Sequence, residues 1–473
     1  MKKLSTTRRE MLRSTALGLA AAPTVCALAQ FDGFAPQGLP VPLSRNNPAV
    51  QHIADNCIEC GRCRLFCNEV ISVFGEPIPD DEEPCIHCGQ CTIFCQADAL
   101  AERYDVPHAV KALNNPEKIV IASLSPAVRV SLGELFGIKP GTNVEGKIAA
   151  ALKKAGFDYV LDTTFGADMT VMEEAAELVK RLNEKNKPLP MFTSCCPAWV
   201  RFAELFYPKL LPHISTTKSP IAIQGAMVKT YFAEKHKIDA GKIVHIALTP
   251  CTAKKAEILL PNQSAAATVY NKPELRDTDI VLTARELGAM LMAKKIDLKS
   301  LDDAPFDALM GTGSGAGIIF GSTGGVSEAV LRTAYKFLND KDPPEDFYNL
   351  KPVRGLRSVR YAEVDLGIQK LRLAQLHGIG DTRSFLETAA KGKSDFTFVE
   401  VMACQGGCIG GGGQPKPVNL DPLDLKQLRL GALYRRDAEC KARLSYENPD
   451  VKAVYADFLG KPLGEKAEKL LHI

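Results

Sequence analysis

The chain lacks the features that mark a nucleic-acid or membrane protein. Its formal net charge is only +3 over 473 residues, too weak a field to gather a polyanion. Trp199 is its single tryptophan, which leaves no stacking platform for bases. No apolar run approaches the roughly 20 residues of a confident membrane span. No C-x-x-C-H occurs, so a haem of the c type would belong to a separate protein. What remains is a globular composition, 46% hydrophobic and 24% charged, with length for roughly two to four domains.

Cysteine is the exception, with 15 in the chain. Eight lie between Cys57 and Cys95. Cys195 and Cys196 are adjacent, Cys251, Cys404 and Cys408 follow, and Cys26 and Cys440 are isolated. Cys57, Cys60, Cys63 and Cys67 form one C-x-x-C-x-x-C-x-x-x-C run, and Cys85, Cys88, Cys91 and Cys95 repeat it. Three closely spaced thiolates cap three corners of a cube, and in the two-cluster ferredoxin pattern the fourth cysteine serves the other cluster. One 4Fe–4S cluster is expected on Cys57, Cys60, Cys63 and Cys95, and a second on Cys85, Cys88, Cys91 and Cys67. Two zinc sites are the alternative. Asn68 and Gln96 stand where proline usually follows the fourth cysteine, which alters a turn but removes no ligand. Such a unit carries single electrons to or from something else.

Residues 5–13 read STTRREMLR, and an alanine-rich apolar stretch runs on to Ala27-Leu28-Ala29. A charged start, a short apolar middle and a small-x-small ending describe an export signal over 1–29. Arg8-Arg9 assigns it to the twin-arginine route. A basic tail before a short helix is the alternative. That route carries folded proteins, which suits a chain that acquires metal clusters before leaving the cytoplasm. The expected partner is the twin-arginine export machinery and the expected location the periplasm. Cys26 would leave with the signal. Disulfides are common outside the cytoplasm, but triplets of thiols around one point suit a cluster better than pairs.

A proline-rich linker is expected over 30–50 and the cysteine-rich unit, small and α+β, over 51–105. Beyond it the texture becomes α/β. KIVIASL (118–124), DYVLDTT (158–164), KIVHIALT (242–249), DIVLT (279–283) and FTFVEVMA (396–403) read as buried strands. MEEAAELVKRLNEK, SEAVLRTAYKFL and RELGAMLMAKK read as helices. Alternation of the two predicts largely parallel sheets over 115–417. A charged, helical region over 418–473 is expected to pack on the outside. Cys195, Cys251 and Cys404 each follow a strand, and open α/β sheets bind ligands beyond the carboxyl ends of their strands. Three strand ends carrying thiols can converge on one cofactor.

TSCCPAW (193–199), TPCTAKKAE (249–257) and EVMACQGGCIGGGGQP (400–415) together closely resemble the three signature motifs of the iron-only (FeFe) hydrogenases. LSPAVRVSLGELFG (124–137), FDYVLDTTFGADMTVMEEAAEL (157–178), STTKSP (215–220) and GSGAGIIFGSTGGVSEA (313–329) are similar to that family, and 447–472 resemble its small subunit. The resemblance implies reversible H2 oxidation and proton reduction at an H-cluster. That cofactor is a 4Fe–4S cube joined through a cysteine sulfur to a diiron unit bearing CO, cyanide and a dithiolate. It implies cube ligands at Cys196, Cys251, Cys404 and Cys408, with Cys408 as the bridge. Cys195 would bind no metal and pass protons, backed by Glu174, Glu177 and Ser215. Lys254 and the backbone at Ser125-Pro126 would contact cyanide, and Met402 and Phe320 would pack on the diiron unit. Glu173, beside Glu174, is expected on a solvated acidic face. Cys440 is expected to be a small buried hydrophobe.

The chain departs from the family at Thr249, where methionine is usual, and at Ile221-Ala222, where two glutamines are usual. The resemblance also implies cytoplasmic maturases and an external electron carrier, a ferredoxin or a c-type cytochrome. Export favours H2 uptake. A hydrogen or redox sensor on the same fold, an iron–sulfur assembly protein and a plain ferredoxin are the rival readings. The retained Cys195, the glycine run 410–413 and the long chain beyond residue 105 argue against them in turn.

Overall fold

The structure is a computed structural model and describes residues 40–74, 83–184 and 188–473. The expected export signal, Cys26 and most of the linker lie outside the described residues. Strand β1 (Val50–His52) pairs antiparallel with β2 (Leu100–Glu102) and closes the cysteine-rich unit. Between them each cysteine run makes the same local shape. Glu59 and Gly61 in the first, and His87 and Gly89 in the second, take positive φ. Each run then enters a short helix, Arg62–Glu69 and Gln90–Phe94. Phe66 and Phe94 join those helices with ring centroids 4.1 Å apart.

The remaining strands are β3 (Ile119–Leu124), β4 (Tyr159–Asp162), β5 (Met191–Phe192), β6 (Ile243–Thr249), β7 (Ile280–Thr283), β8 (Val359–Asp365), β9 (Lys370–His377) and β10 (Phe398–Met402). They form two four-stranded sheets, ordered β4-β3-β6-β7 and β5-β10-β9-β8. The first is wholly parallel. The second is parallel except for its edge strand β8, which runs antiparallel to β9. All five residues of β10 are buried, as a strand covered on both faces requires. The expected α/β architecture with largely parallel sheets is present. The β8–β9 hairpin is an addition to it. VRYAEVD places exposed residues between buried ones, the pattern of a strand wet on one face.

The 22-residue helix Thr163–Glu184 is buried along most of its length, between helices Gly325–Asn339 and Pro220–Met227. This corrects the expectation for Glu173. It is not on a solvated face but fully buried, accepting from Tyr455 Oη at 2.5 Å and Leu463 N at 2.8 Å and contacting His472 Nε2 at 3.1 Å. The reason is that 455–472 pack over that face and bring their own donors. The C-terminal helices Pro422–Glu439, Pro449–Val454 and Glu465–Leu471 do wrap the outside, yet they bury Leu433, Val454 and Leu471 completely. Buried Asp168 ties them in, accepting from Ser314, Ser445 and Asn448. Burial pushes its carboxyl up to about 6 against those donors. Among the described residues no helix is long and apolar enough to cross a membrane.

Candidate active site

The catalytic-region cysteines gather from both sheets. Cys195 and Cys196 follow β5, Cys251 follows β6, and Cys404 follows β10. All four leave carboxyl ends of parallel strands, and Cys408 lies on the short helix Gly407–Gly410 after β10. Burial and then the charges of Cys88, Cys251, Cys196 and Cys408 push the Cys404 thiol far up. Cys408 is raised likewise by burial, then by Cys251 and Cys196. These four thiols therefore sense one another in one dry space. Ala403 N donates to Cys196 Sγ at 3.4 Å. Among the described residues no three His, Cys, Asp or Glu side chains form a group that could hold a metal ion.

Glycines let backbone close around this space. A Cβ at Gly411 would overlap the Pro250 carbonyl, one at Gly412 the Cys88 carbonyl, and one at Gly413 the Thr283 side chain. The neutral imidazole of His377, its pKa lowered to about 3 by burial, accepts from Gly406 N at 3.2 Å and fastens the same loop. Nothing in the sequence marks that histidine.

The cysteines of the N-terminal unit fall near one another in two places. Cys57, Cys60, Cys63 and Cys95 line one pocket. Burial and then Cys88, Cys91 and Cys85 push the Cys67 thiol far up, so Cys67 stands with the second run. That second run docks on the catalytic motifs. His87 O accepts from Thr252 Oγ1 at 2.7 Å, Gln90 Nε2 donates to Gly410 O at 2.8 Å, and Thr92 Oγ1 donates to Gly412 O at 3.2 Å.

Cys195 is buried in one apolar cluster with Phe320 and Met402. Burial, then Glu174, Cys196 and Cys408, push its thiol far up, while Lys254 opposes. Glu174 is fully buried, and its carboxylate makes no well-formed hydrogen bond, with the Ser194 backbone N–H its one weak polar neighbour among the described residues. Burial, then the charge of Glu177, raise it to about 8, so it holds a proton at neutral pH. Glu177 is held firmly: Arg181 Nη2 donates at 2.7 Å, Ser215 Oγ at 2.8 Å and Thr216 N at 3.0 Å. Glu177, Lys180, Arg181 and Thr216 line a cavity of about 230 Å³ that Leu463, Glu468, His472 and Ile473 complete. Of the four residues expected of a proton path, Glu174 raises the Cys195 thiol and is itself raised by Glu177, and Glu177 bonds Ser215 and reaches that cavity.

Lys254 Nζ donates to Cys195 O at 3.1 Å and to both oxygens of Glu257, at 3.0 and 2.8 Å. Burial lowers its pKa, but Glu257 and the thiols at Cys251 and Cys195 overcome this and raise it. Glu257, which also accepts from Ser219 Oγ at 3.0 Å, was not singled out from the sequence. Its i,i+3 spacing to Lys254 on one helical turn was the available signal. Ser125 lies at the end of β3, its N donating to Leu248 O, and Pro126 O accepts from Arg129. Of the departures, Ile221 sits in an apolar cluster with Ala247, Ile258 and Val281. Thr249 Oγ1 donates to Cys251 O at 3.0 Å. Cys440 is half-buried and its thiol donates to Arg436 O.

Residues 118–412 match the family model described as the iron-only hydrogenase large subunit, C-terminal domain, and 423–473 match that of the iron hydrogenase small subunit. Iron hydrogenase 1 of Clostridium pasteurianum is 42% identical over 434 residues, covering 88% of this chain and 74% of that protein. The periplasmic Fe hydrogenase large subunit of Nitratidesulfovibrio vulgaris is 44% identical over 382 residues, 80% of this chain and 89% of that protein. The cytosolic Fe-S cluster assembly factor narfl of Danio rerio is more distant, 31% identical over 77% of this chain and 88% of that protein. The solved apo form of the FeFe-hydrogenase HydA1 from Chlamydomonas reinhardtii, in a variant, superposes with a TM-score of 0.68 at 37% identity, covering 78% of this chain and 98% of that one. The chain belongs to the iron-only hydrogenase family.

Proposed function

We propose that the chain is a hydrogenase that interconverts H2 with protons and electrons, exchanging the electrons through two 4Fe–4S clusters in residues 51–105. The observation that carries this is the meeting, at one group of buried strand-end thiols, of a cysteine ladder on one side and a carboxyl ladder on the other. Catalysis would occupy 115–417, with 418–473 as a small-subunit-like covering. Cys196, Cys251, Cys404 and Cys408 would hold the H-cluster. Their gathering at the strand ends, the backbone approach at Gly411–Gly413 and the ammonium of Lys254 beside them suit a bulky group with anionic ligands in a largely dry site.

When bound, the H-cluster supplies the redox chemistry and an open coordination position. This chain's own residues do the rest. Phe320 and Met402 exclude water beside Cys195. The Lys254 ammonium, oriented by Glu257, balances anionic ligands in a low-dielectric space. Cys195 Sγ holds a proton rather than a charge, which avoids the cost of burying an unpaired ion. Glu174 restores that proton, and Ser215 with Glu177 connects Glu174 to the cavity beside Lys180.

The relatives named as assembly components raise a second reading, cluster assembly without hydrogen chemistry. A protonated buried carboxyl beside a thiol outside the ligand set serves proton transfer and has no part in scaffolding, which favours the hydrogenase. Arg8-Arg9 supports periplasmic export. Infrared spectroscopy and a hydrogen assay on protein coexpressed with maturases test the proposal. CO and cyanide bands with H2-dependent dye reduction are expected; iron–sulfur absorption without those bands sinks it.

A further inference from the structure

The far end of the carboxyl ladder is built by residues the proposed reaction has not yet used. Residues 470–473 pair back on the loop that carries Ser215. Lys218 N donates to Leu471 O at 2.8 Å, and Ile473 N donates to Thr216 O at 3.0 Å. This sets His472 across two contacts, Nδ1 to Thr216 Oγ1 at 2.9 Å and Nε2 to Glu173 Oε2 at 3.1 Å. Thr216 Oγ1 in turn reaches Glu177 Oε2 at 3.4 Å. Tyr455 Oη donates to the other oxygen of Glu173, and burial with the Glu173 charge keeps that phenol protonated. His472, Thr216 and Glu177 all line the 230 Å³ cavity.

We propose that His472 is the proton-loading residue of the ladder, passing protons between the cavity and Glu177 through the Thr216 hydroxyl. This rests on the hydrogenase reading and extends its proton path outward. With Glu173 ionised, the hydrogen bonds run as one directed chain when both ring nitrogens carry protons. Nε2–H then donates to Glu173, Nδ1–H to Thr216 Oγ1, and the Thr216 hydroxyl to Glu177. Transfer moves the Nδ1 proton to Thr216 Oγ1 as the hydroxyl proton goes to Glu177 Oε2. One N–H and one O–H bond break, two O–H bonds form, and the pair becomes neutral. Afterwards Nδ1 is an acceptor, the hydroxyl turns toward it, and the link to Glu177 is broken until the ring is reloaded. Glu173 holds the ring in the one orientation that permits this. Glu173, Glu177, Lys180 and Arg181 face the ring from helix Thr163–Glu184, Tyr455 stands behind Glu173, and Glu468 faces it from helix Glu465–Leu471. An imidazole exchanges protons readily near neutral pH.

The test is His472→Gln and Thr216→Val in the full-length, cofactor-loaded enzyme. His472→Gln is expected to lower turnover about tenfold, less than the roughly hundredfold at which general acid–base contributions begin, because water in the cavity still reaches Glu177. Added imidazole should restore most of that loss in His472→Gln and none in Thr216→Val, whose ring is intact but disconnected. The infrared bands and the KM for the electron carrier should match wild type in both. Wild-type turnover in His472→Gln, or a loss that imidazole does not restore, overturns the proposal. A wild-type chain without CO and cyanide bands overturns the hydrogenase reading and this inference with it.

Discussion

The two cysteine runs share a spacing and a backbone but not their surroundings. In the first, Cys60 is exposed and Cys57, Cys63 and Cys67 are half-buried. In the second, Cys85 and Cys88 are buried, with thiols pushed up to about 11 and about 12 by burial, opposed at each by a backbone N–H. The first opens to solvent; the second is pinned by Thr252, Gly410 and Gly412. On the proposed reading, the first run would face the electron partner and the second would face the catalytic site.

The largest effect that sharpens this contrast is in the ligands themselves. Cys88→Ser should lower H2-dependent dye reduction by roughly 1000-fold, about 4 kcal/mol of barrier, because electrons lose their last station before the site. Cys60→Ser should spare dye reduction far more and chiefly slow exchange with a protein carrier. Equal losses in the two variants, measured with the same dye, would break the comparison.

Glu174→Gln leaves both runs intact and interrupts the opposite side. Turnover should fall roughly 100-fold while both clusters of the 51–105 unit still reduce, as seen by electron paramagnetic resonance. The same variant has a stability signature. Glu174 is raised to about 8 in the folded chain, against about 4.3 in an unfolded one. The folded chain therefore keeps a proton that the unfolded chain releases. Stability is fully present below about pH 4.3 and is lost as pH rises through about 8. Glutamine removes that loss, so Glu174→Gln should gain in denaturation midpoint over wild type from pH 6 to about pH 9. A parallel pH dependence in the two proteins counts against the buried, protonated carboxyl.

Smaller effects come from backbone fit. Gly89 and Gly61 both take positive φ, and alanine at either costs about 1–2 kcal/mol. At Gly89 the added Cβ also overlaps the Thr252 side chain, an overpacking of about 1–3 kcal/mol more. Chemical denaturation should rank Gly89→Ala below Gly61→Ala. The smallest effect belongs to Thr249→Met, which removes the hydroxyl bonded to Cys251 O. Turnover should change by no more than about tenfold, ~1.4 kcal/mol, with shifted infrared bands; unchanged bands would show that Thr249 does not tune the site.

Much of this was legible because the carriers of chemistry sit where continuous apolar runs stop. Phe192, Thr249 and Met402 end strands, and the thiols follow. The apolar runs foretold the parallel strands, and the duplicated spacing foretold a repeated local backbone, positive φ before each short helix. Glu173 misled because a run of two acids on a helix looks wet until a distant segment covers it. Tyr455 and His472 lie nearly 300 residues away, and local patterning holds no record of that contact. Glu257 and His377 were missed for the opposite reason: each makes a tertiary contact that its residue type permits but does not announce. The β8–β9 hairpin escaped because its alternation is wet on one face and was weaker than the buried runs.

The missing side chain at Gly412 has a consequence beyond packing. An electron crossing between two redox centres tunnels through whatever separates them, and its rate falls exponentially with that thickness. At Gly412 the main chain of the second cysteine run lies directly against the main chain of the third motif, with no methyl group's width of insulation between. On the proposed electron route, a side chain at Gly412 would push those two backbones apart and widen the gap the electron crosses, so this glycine would serve the wiring as well as the packing.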